Sequence, residues 1–509
     1  MLLSVHGLLE RYQFVYFVLP WCCCSLQLVY WNFHIDFHES HAYLYHGLFK
    51  SFGNYNDMNL FKQSEQHHHQ WHLGRTIYDV LAYGAVGDGR TNDTQAFFTA
   101  WNLACATANG VLHAPVAYTF LVYPATFKGS KCQPGLQFLV DGTIVAPDEV
   151  SAWGGVSSPT WLVFEHITNF SISGTGTFNG QGKNWWACKK AKTCKQAPTA
   201  VEIHHGTDVT VENVAFLNSQ QIHLNLNSVV RGQAKCLTIV APPTSPNTDG
   251  IHVSACTNTT IQNCNIATGD DCISIVSGSH NIEVENVYCG PGCHGISIGS
   301  LGENGATANV SQVQVKNCVM EGTTNGLRIK TWQGGNGLAY NFVYQNISMI
   351  NVTNPIIIDQ YYCPSSQSGP CSNSTDAVQI ELVKYTNITG TSFSSTAVSF
   401  QCSESVACTS IHLQDISLQQ TSGGPATSSC TNARGVAIGI ENPPSCLIIN
   451  NTRCATTLSW LKSTLNNLIG NKQPLLDKNK NNTKLWIYLF IAYTSFLLFA
   501  TYWISVLIF

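Results

Sequence analysis

Asp249-Gly250-Ile251-His252-Val253, Asp271-Cys272-Ile273-Ser274-Ile275 and His294-Gly295-Ile296-Ser297-Ile298 repeat one pattern at spacings of 22 and 23 residues. Each places a polar or charged residue two positions ahead of an apolar-x-apolar triplet. Leu327-Arg328-Ile329-Lys330 continues the series with two cations inside it. A period of this length with one short strand per unit predicts a solenoid whose coils stack on one another. Residues at equal positions in successive coils then lie about 4.8 Å apart, which puts Asp249, Asp271 and His294 in one row.

A second ladder supports the same register. Asn213, Asn263, Asn286 and Asn317 each follow an alternating triplet. Asparagine tolerates the left-handed backbone region and bonds its own backbone at turns, so its recurrence predicts a repeated corner. Charged residues make up only 11% of the 509-residue chain, against about 25% in ordinary soluble domains. That composition suits a sheet- and turn-rich body, and a net charge of -4 gives no reason to expect nucleic acid.

The 21 cysteines exceed what a reduced cytosolic enzyme carries. Close pairs predict disulfides of a secreted protein: Cys188 with Cys194, Cys363 with Cys371, Cys402 with Cys408, and Cys430 with Cys446 or Cys454. Their irregular spacing argues against zinc. Sequons at Asn92, Asn169, Asn258, Asn309, Asn346, Asn351, Asn373, Asn387, Asn450 and Asn481 agree with the secretory route.

Four segments are expected. Residues 1–75 hold an apolar run, a candidate signal or anchor, and a histidine-rich linker. Residues 76–455 form the solenoid. Within it, 93–106 has helical apolar spacing with Asn92 or Asp93 as N-cap, a helix that would close the open end of the stack. Trp185 and Trp186 either pack against a coil or line a saccharide cleft, and packing is the commoner fate of large aromatics. A polar linker, 456–484, precedes residues 485–509, 25 residues without a charged side chain, long enough to span a bilayer or to serve as a lipid-anchor signal. Lys478, Lys480 and Lys484 would keep the preceding side cytoplasmic, at odds with the cysteines and sequons. A translated non-coding stretch is the other explanation of both ends.

Ser245-Pro246-Asn247-Thr248-Asp249-Gly250, Gly269-Asp270-Asp271-Cys272, His294-Gly295-Ile296-Ser297-Ile298-Gly299-Ser300 and Arg328-Ile329-Lys330 together resemble the polygalacturonases of glycoside hydrolase family 28. Gly180-Gln181-Gly182-Lys183-Asn184-Trp185-Trp186 and Asn218-Ser219-Gln220-Gln221-Ile222-His223 are similar to the plant branch, and the resemblance covers about residues 77 to 454. It implies an all-β, right-handed, single-stranded parallel β-helix that hydrolyses the α-1,4 bonds of polygalacturonate, the backbone of pectin, by inversion. It further implies Asp270 as general acid, Asp249 and Asp271 as the pair that activates water, His294 as a group tuning the acid, Arg328 and Lys330 as clamps on the substrate carboxylate, and Asn247 and Tyr362 as cleft residues. Cys293 stands where the family form has a glycine before the histidine.

The chemistry follows from the residues alone. Glycoside hydrolysis needs one protonated and one ionised carboxyl group, and carboxylates crowded together cannot all ionise, so one pKa should rise. Arg328 and Lys330 alternate with Leu327 and Ile329 and should point outward, so their removal is expected to cost substrate use more than folding. No metal or cofactor enters this scheme, and a secreted monomer acting in the cell wall is expected, with membrane attachment only through 485–509. The competing functions are a catalytically silent pectin-binding wall protein, a hydrolase of a related pectic polymer, and a pectate lyase, which would need a calcium site of several carboxylates.

Overall fold

The computed structural model describes residues 74–448, apart from 154–159, 195, 365–373 and 375. The N-terminal apolar run and histidine tract, Cys371, the boundaries near 455 and 484, and the segment 485–509 lie outside the described residues. Among the described residues no helix is long and apolar enough to cross a membrane.

The chain winds as a right-handed parallel β-helix. Strands of one coil pair in parallel with those of the next, and Leu224, Ile251, Ile273, Ile296, Leu327, Ile356 and Val398 are successive register partners. The predicted row is therefore real: Asp249, Asp271 and His294 each stand two residues before a member of that stack. Alternation decides which side chains enter the core. Ile251 and Val253 are buried while His252 between them is not, and each buried Ile, Val or Leu contributes about 1.5–3 kcal/mol. At the corners Asn213, Asn263, Asn286 and Asn317 take φ of 62°, 56°, 55° and 54°, the left-handed backbone the ladder predicted.

The capping helix runs Thr94–Cys105 and buries Ala96, Phe97, Ala100, Trp101 and Ala104. Trp101 meets Phe127 at 5.1 Å and Phe164 at 5.7 Å between ring centroids, so the helix sits on the first coils and removes their edges from water. Asp93 occupies the N-cap, but its carboxylate accepts from Val86 N (2.7 Å) and Gly87 N (3.2 Å). Asn92 Oδ1 instead accepts from Thr94 N at 3.1 Å. The coils continue through Thr427–Thr431 and Ala433–Asn442.

Three predicted disulfides are formed: Cys188–Cys194, Cys402–Cys408 and Cys430–Cys446. Two others, Cys105–Cys132 and Cys272–Cys289, join residues 27 and 17 apart in sequence. Their spacing carries no local signal, because only the coil return brings each pair together.

Farther along, Tyr344 and Tyr385 stack at 4.9 Å with an 11° interplanar angle. Both hydroxyls are buried without a hydrogen-bond partner among the described residues, and burial pushes both phenols up. An unpaired buried hydroxyl costs about 1–3 kcal/mol. Tyr344→Phe and Tyr385→Phe should each hold or raise the melting temperature; a drop of several degrees in either would show that the hydroxyl is satisfied.

Candidate active site

Four stacked turns build the site. The loop ahead of Ile251–Ser254 carries Asn247 and Asp249, and the loop ahead of Ile273–Ile275 carries Asp270 and Asp271. His294 precedes Ile296–Leu301, and Asn325–Trp332 supplies Arg328 and Lys330. Gly269 allows the first two loops to touch: a Cβ there would lie 2.1 Å from Ser245 O. Gly295, at φ 74°, does the same beneath His294, where a Cβ would meet Asn325 O at 2.1 Å.

Asp271 is the most enclosed of the acids, its side chain 2% exposed. Its Oδ1 accepts from Arg328 at 2.6 Å and from Ser297 Oγ at 2.8 Å, and its Oδ2 from Lys330 Nζ at 2.8 Å. Burial alone would raise its pKa, but the charges of Arg328 and Lys330, with hydrogen bonds from Lys330 and Ser297, outweigh it and hold the group at about 2. Asp271 is thus a fixed anion. Its depressed pKa contributes stability that is complete above the unfolded carboxylate value and lost as pH falls toward 2. That contribution is about 2 kcal/mol. Asp271→Asn should accordingly flatten the acid limb of a melting-temperature profile between about pH 4 and 2; an unchanged limb would place the acid sensitivity elsewhere.

Asp249 is set differently. Ser274 Oγ donates to its Oδ2 at 2.7 Å, and His252 Nδ1 reaches the same serine at 2.7 Å. Burial pushes the Asp249 carboxyl above its ordinary value, and the charges of Asp270 and Asp271 add to that while His252 opposes it. One pKa in the cluster is thus raised, first by burial and then by like charge, and the raised group is Asp249. Asp270 Oδ1 takes His294 Nδ1 at 3.0 Å and the backbone N–H of Asp271 at 2.8 Å; its Oδ2 accepts from Asn247 Nδ2 at 3.1 Å. The Asp270 hydrogen bond raises the His294 pKa against the opposing effect of burial.

Arg328 and Lys330 do point outward, since Leu327 and Ile329 alternate with them into the core. Yet their side chains are only 13% and 9% exposed, because both turn onto Asp271. Their loss is therefore expected to carry a folding cost as well as a cost in substrate use. Without Arg328 the buried Asp271 keeps only Lys330 and Ser297, so Arg328→Ala should cost about 2 kcal/mol of stability through the lost charge-assisted hydrogen bond, read by denaturant unfolding; a cost below about 0.5 kcal/mol would mean water solvates the site freely. Tyr362 lies beside this pair, its ring 5.3 Å from Lys330 Nζ and edge-on to Trp332. Asp270, Asp271 and His294 each offer a ligating atom within 4.8 Å of the others, although a cation there would compete with the two charges already on Asp271.

All eight predicted residues fall in one cluster of contacts and neighbouring charges. Several supporting residues escaped the sequence reading. Ser274 and Ser297 occupy the second row, in register with His252 and Arg328, and the repeated Ile-Ser-Ile was the available signal. His223, fully buried, donates from Nδ1 to Asp249 O (2.9 Å) and accepts from Ser219 N at Nε2 (3.2 Å); burial lowers it to about 4. It is a neutral brace for the Asp249 backbone.

A family model described as glycosyl hydrolases family 28 matches residues 106–446. A polygalacturonase of Chamaecyparis obtusa is 46% identical over 378 residues, 73% of this chain and 72% of that protein. A probable polygalacturonase of Arabidopsis thaliana is 43% identical over 377 residues, 73% of this chain and 84% of its own length. Among solved structures, a hyperthermoactive exopolygalacturonase from Thermotoga maritima superposes with a TM-score of 0.58 at 21% identity, covering 74% of this chain and 92% of that one.

Proposed function

This chain belongs to glycosyl hydrolase family 28, and from that premise we propose how its groove works. The protein is a glycoside hydrolase acting on polygalacturonate, the polymer of pectin. The observation that carries the mechanism is the division of charge among three adjacent acids. Asp271 is fixed as an anion by two cations, while burial and the charges of Asp270 and Asp271 raise the proton affinity of Asp249. The two carboxyls thus differ in their hold on a proton, and glycoside hydrolysis needs one neutral and one ionised carboxyl.

Asp270 delivers the proton to the leaving glycosidic oxygen, because its Oδ2 faces Asn247 at the exposed lip of the groove. Water enters opposite the leaving sugar and gives its proton to Asp249, with Asp271 helping to orient it. His294 keeps Asp270 in place and, protonated, returns positive charge to it. The cations that hold Asp271 also leave their outer faces toward an anionic sugar, with Tyr362 alongside. Five disulfides among the described residues suit an oxidising compartment, which supports secretion and action in the cell wall. The direct test is incubation of the purified full chain with polygalacturonate and with highly methyl-esterified pectin. Reducing ends should appear far faster from the former. Equal rates would assign another polymer, and no release from either would favour the catalytically silent wall protein.

A further inference from the structure

We propose that the helix Lys183–Lys190 and the coil floor beneath it form an anionic-sugar subsite that receives the substrate chain beyond the cleavage point. The proposal rests on the family's polymer being the substrate. A cavity of about 630 Å³ lies here, lined among others by Trp186, Lys183, Asn184, Asn179, Asn218 and Asp148, within the range of ligand pockets.

The two tryptophans divide the roles left open by their sequence. Trp185 is 7% exposed and packs edge-on to Trp153 at 5.6 Å. Trp186 stays half-buried on the cavity wall, its Nε1 donating to Ser219 O at 3.0 Å. An indole fixed in this way presents a flat face of the kind that stacks on a pyranose ring. The helix itself is pinned at both ends, by Asn184 Nδ2 on Asp148 O at 3.0 Å and by Cys188–Cys194.

Charge gives the second, independent indication. Lys183, Lys189, Lys190, Lys192 and Lys195 crowd a short stretch of a chain that is sparingly charged, and no acidic residue occurs between Glu165 and Glu202. Lys189 is partly buried, which lowers its pKa, and the charges of Asp270 and Asp249 act on it in the opposite sense. It follows Lys183 and Trp186 on the same helix, and among the described residues no ion pair holds it. Leu217, Val240 and Ala267 are successive register partners, so Asn218 at the cavity floor is about two strand spacings, roughly 10 Å, from the loop that follows Ala267 and carries Asp270. A chain cut at Asp270 would reach it after a few sugar residues, with Lys189 and Lys183 meeting successive carboxylates.

The test compares kcat/KM for trigalacturonate and hexagalacturonate in the full chain and in Lys189→Gln, Lys183→Gln and the double variant, with thermal melting as a folding control. The preference for hexagalacturonate should fall about tenfold in each single variant and further in the double, and Lys189→Arg should restore most of it. An unaltered length preference in the folded double variant would overturn the subsite. Failure of the unmodified protein to cleave either oligomer would instead overturn the substrate assignment.

Discussion

Asp270→Asn is expected to lower kcat on polygalacturonate by more than about 10⁴-fold with the fold intact. General acid catalysis alone accounts for about 10²–10⁴. The remainder comes from the charges around it: His294 sits 3.0 Å from Asp270 Oδ1, and its raised pKa depends first on that hydrogen bond. An amide can neither protonate the leaving oxygen nor hold His294 protonated. Asp270 touches Asn247 and His294 rather than Arg328 or Lys330, so the Asp271 clasp and the melting temperature should survive. The decisive comparison uses an aryl galacturonide whose leaving group needs no proton. If Asp270 is the acid, most of the loss should vanish on that substrate. An equal loss on both would move the role to Asp249, the carboxyl whose affinity for a proton is raised by burial and by its acidic neighbours.

How much of this was legible in the sequence follows from the period. A coil of 22 or 23 residues maps equal positions onto one another, so the row of Asp249, Asp271 and His294 is already written in the sequence, and the ladder of Ile251, Ile273 and Ile296 bears it out. What the period cannot give is the direction of a side chain that has several partners. His294 is the row neighbour of Asp271, yet its ring turns to Asp270. Arg328 and Lys330 were legible as outward-facing, but not as spent on Asp271, because their reach spans two coils. Cys105–Cys132 and the brace from His223 were invisible for the same reason: each depends on where a loop returns. The two tryptophans of one helix could not be told apart until Trp153, reached only through the fold, claimed the first of them.

Asp249→Asn should cost about 10³-fold or more in kcat, and unlike the Asp270 variant it should gain nothing from a better leaving group, because it removes the acceptor of the water's proton. The same variant bears on stereochemistry. Carboxyl groups about 5–5.5 Å apart ordinarily signal retention through a covalent intermediate, and stacking alone would place Asp249 and Asp271 about one 4.8 Å spacing apart. Neither is free to act as that nucleophile. Asp271 has both oxygens engaged by Arg328, Ser297 and Lys330, and releasing one would unpair a buried cation. Asp249 takes the Ser274 hydroxyl on Oδ2, and its raised proton affinity suits it to accept a proton from water. On the proposed roles water is the nucleophile, and the expected outcome is inversion. Activity should also decline as pH rises and His294, whose pKa the Asp270 hydrogen bond raises, loses its proton, and that decline should be displaced in His294→Ala. Proton NMR of the first product formed from the α-linked polymer should show a β reducing end. An α reducing end ahead of mutarotation would require one of these two engaged carboxylates to have broken its contacts and bonded the sugar.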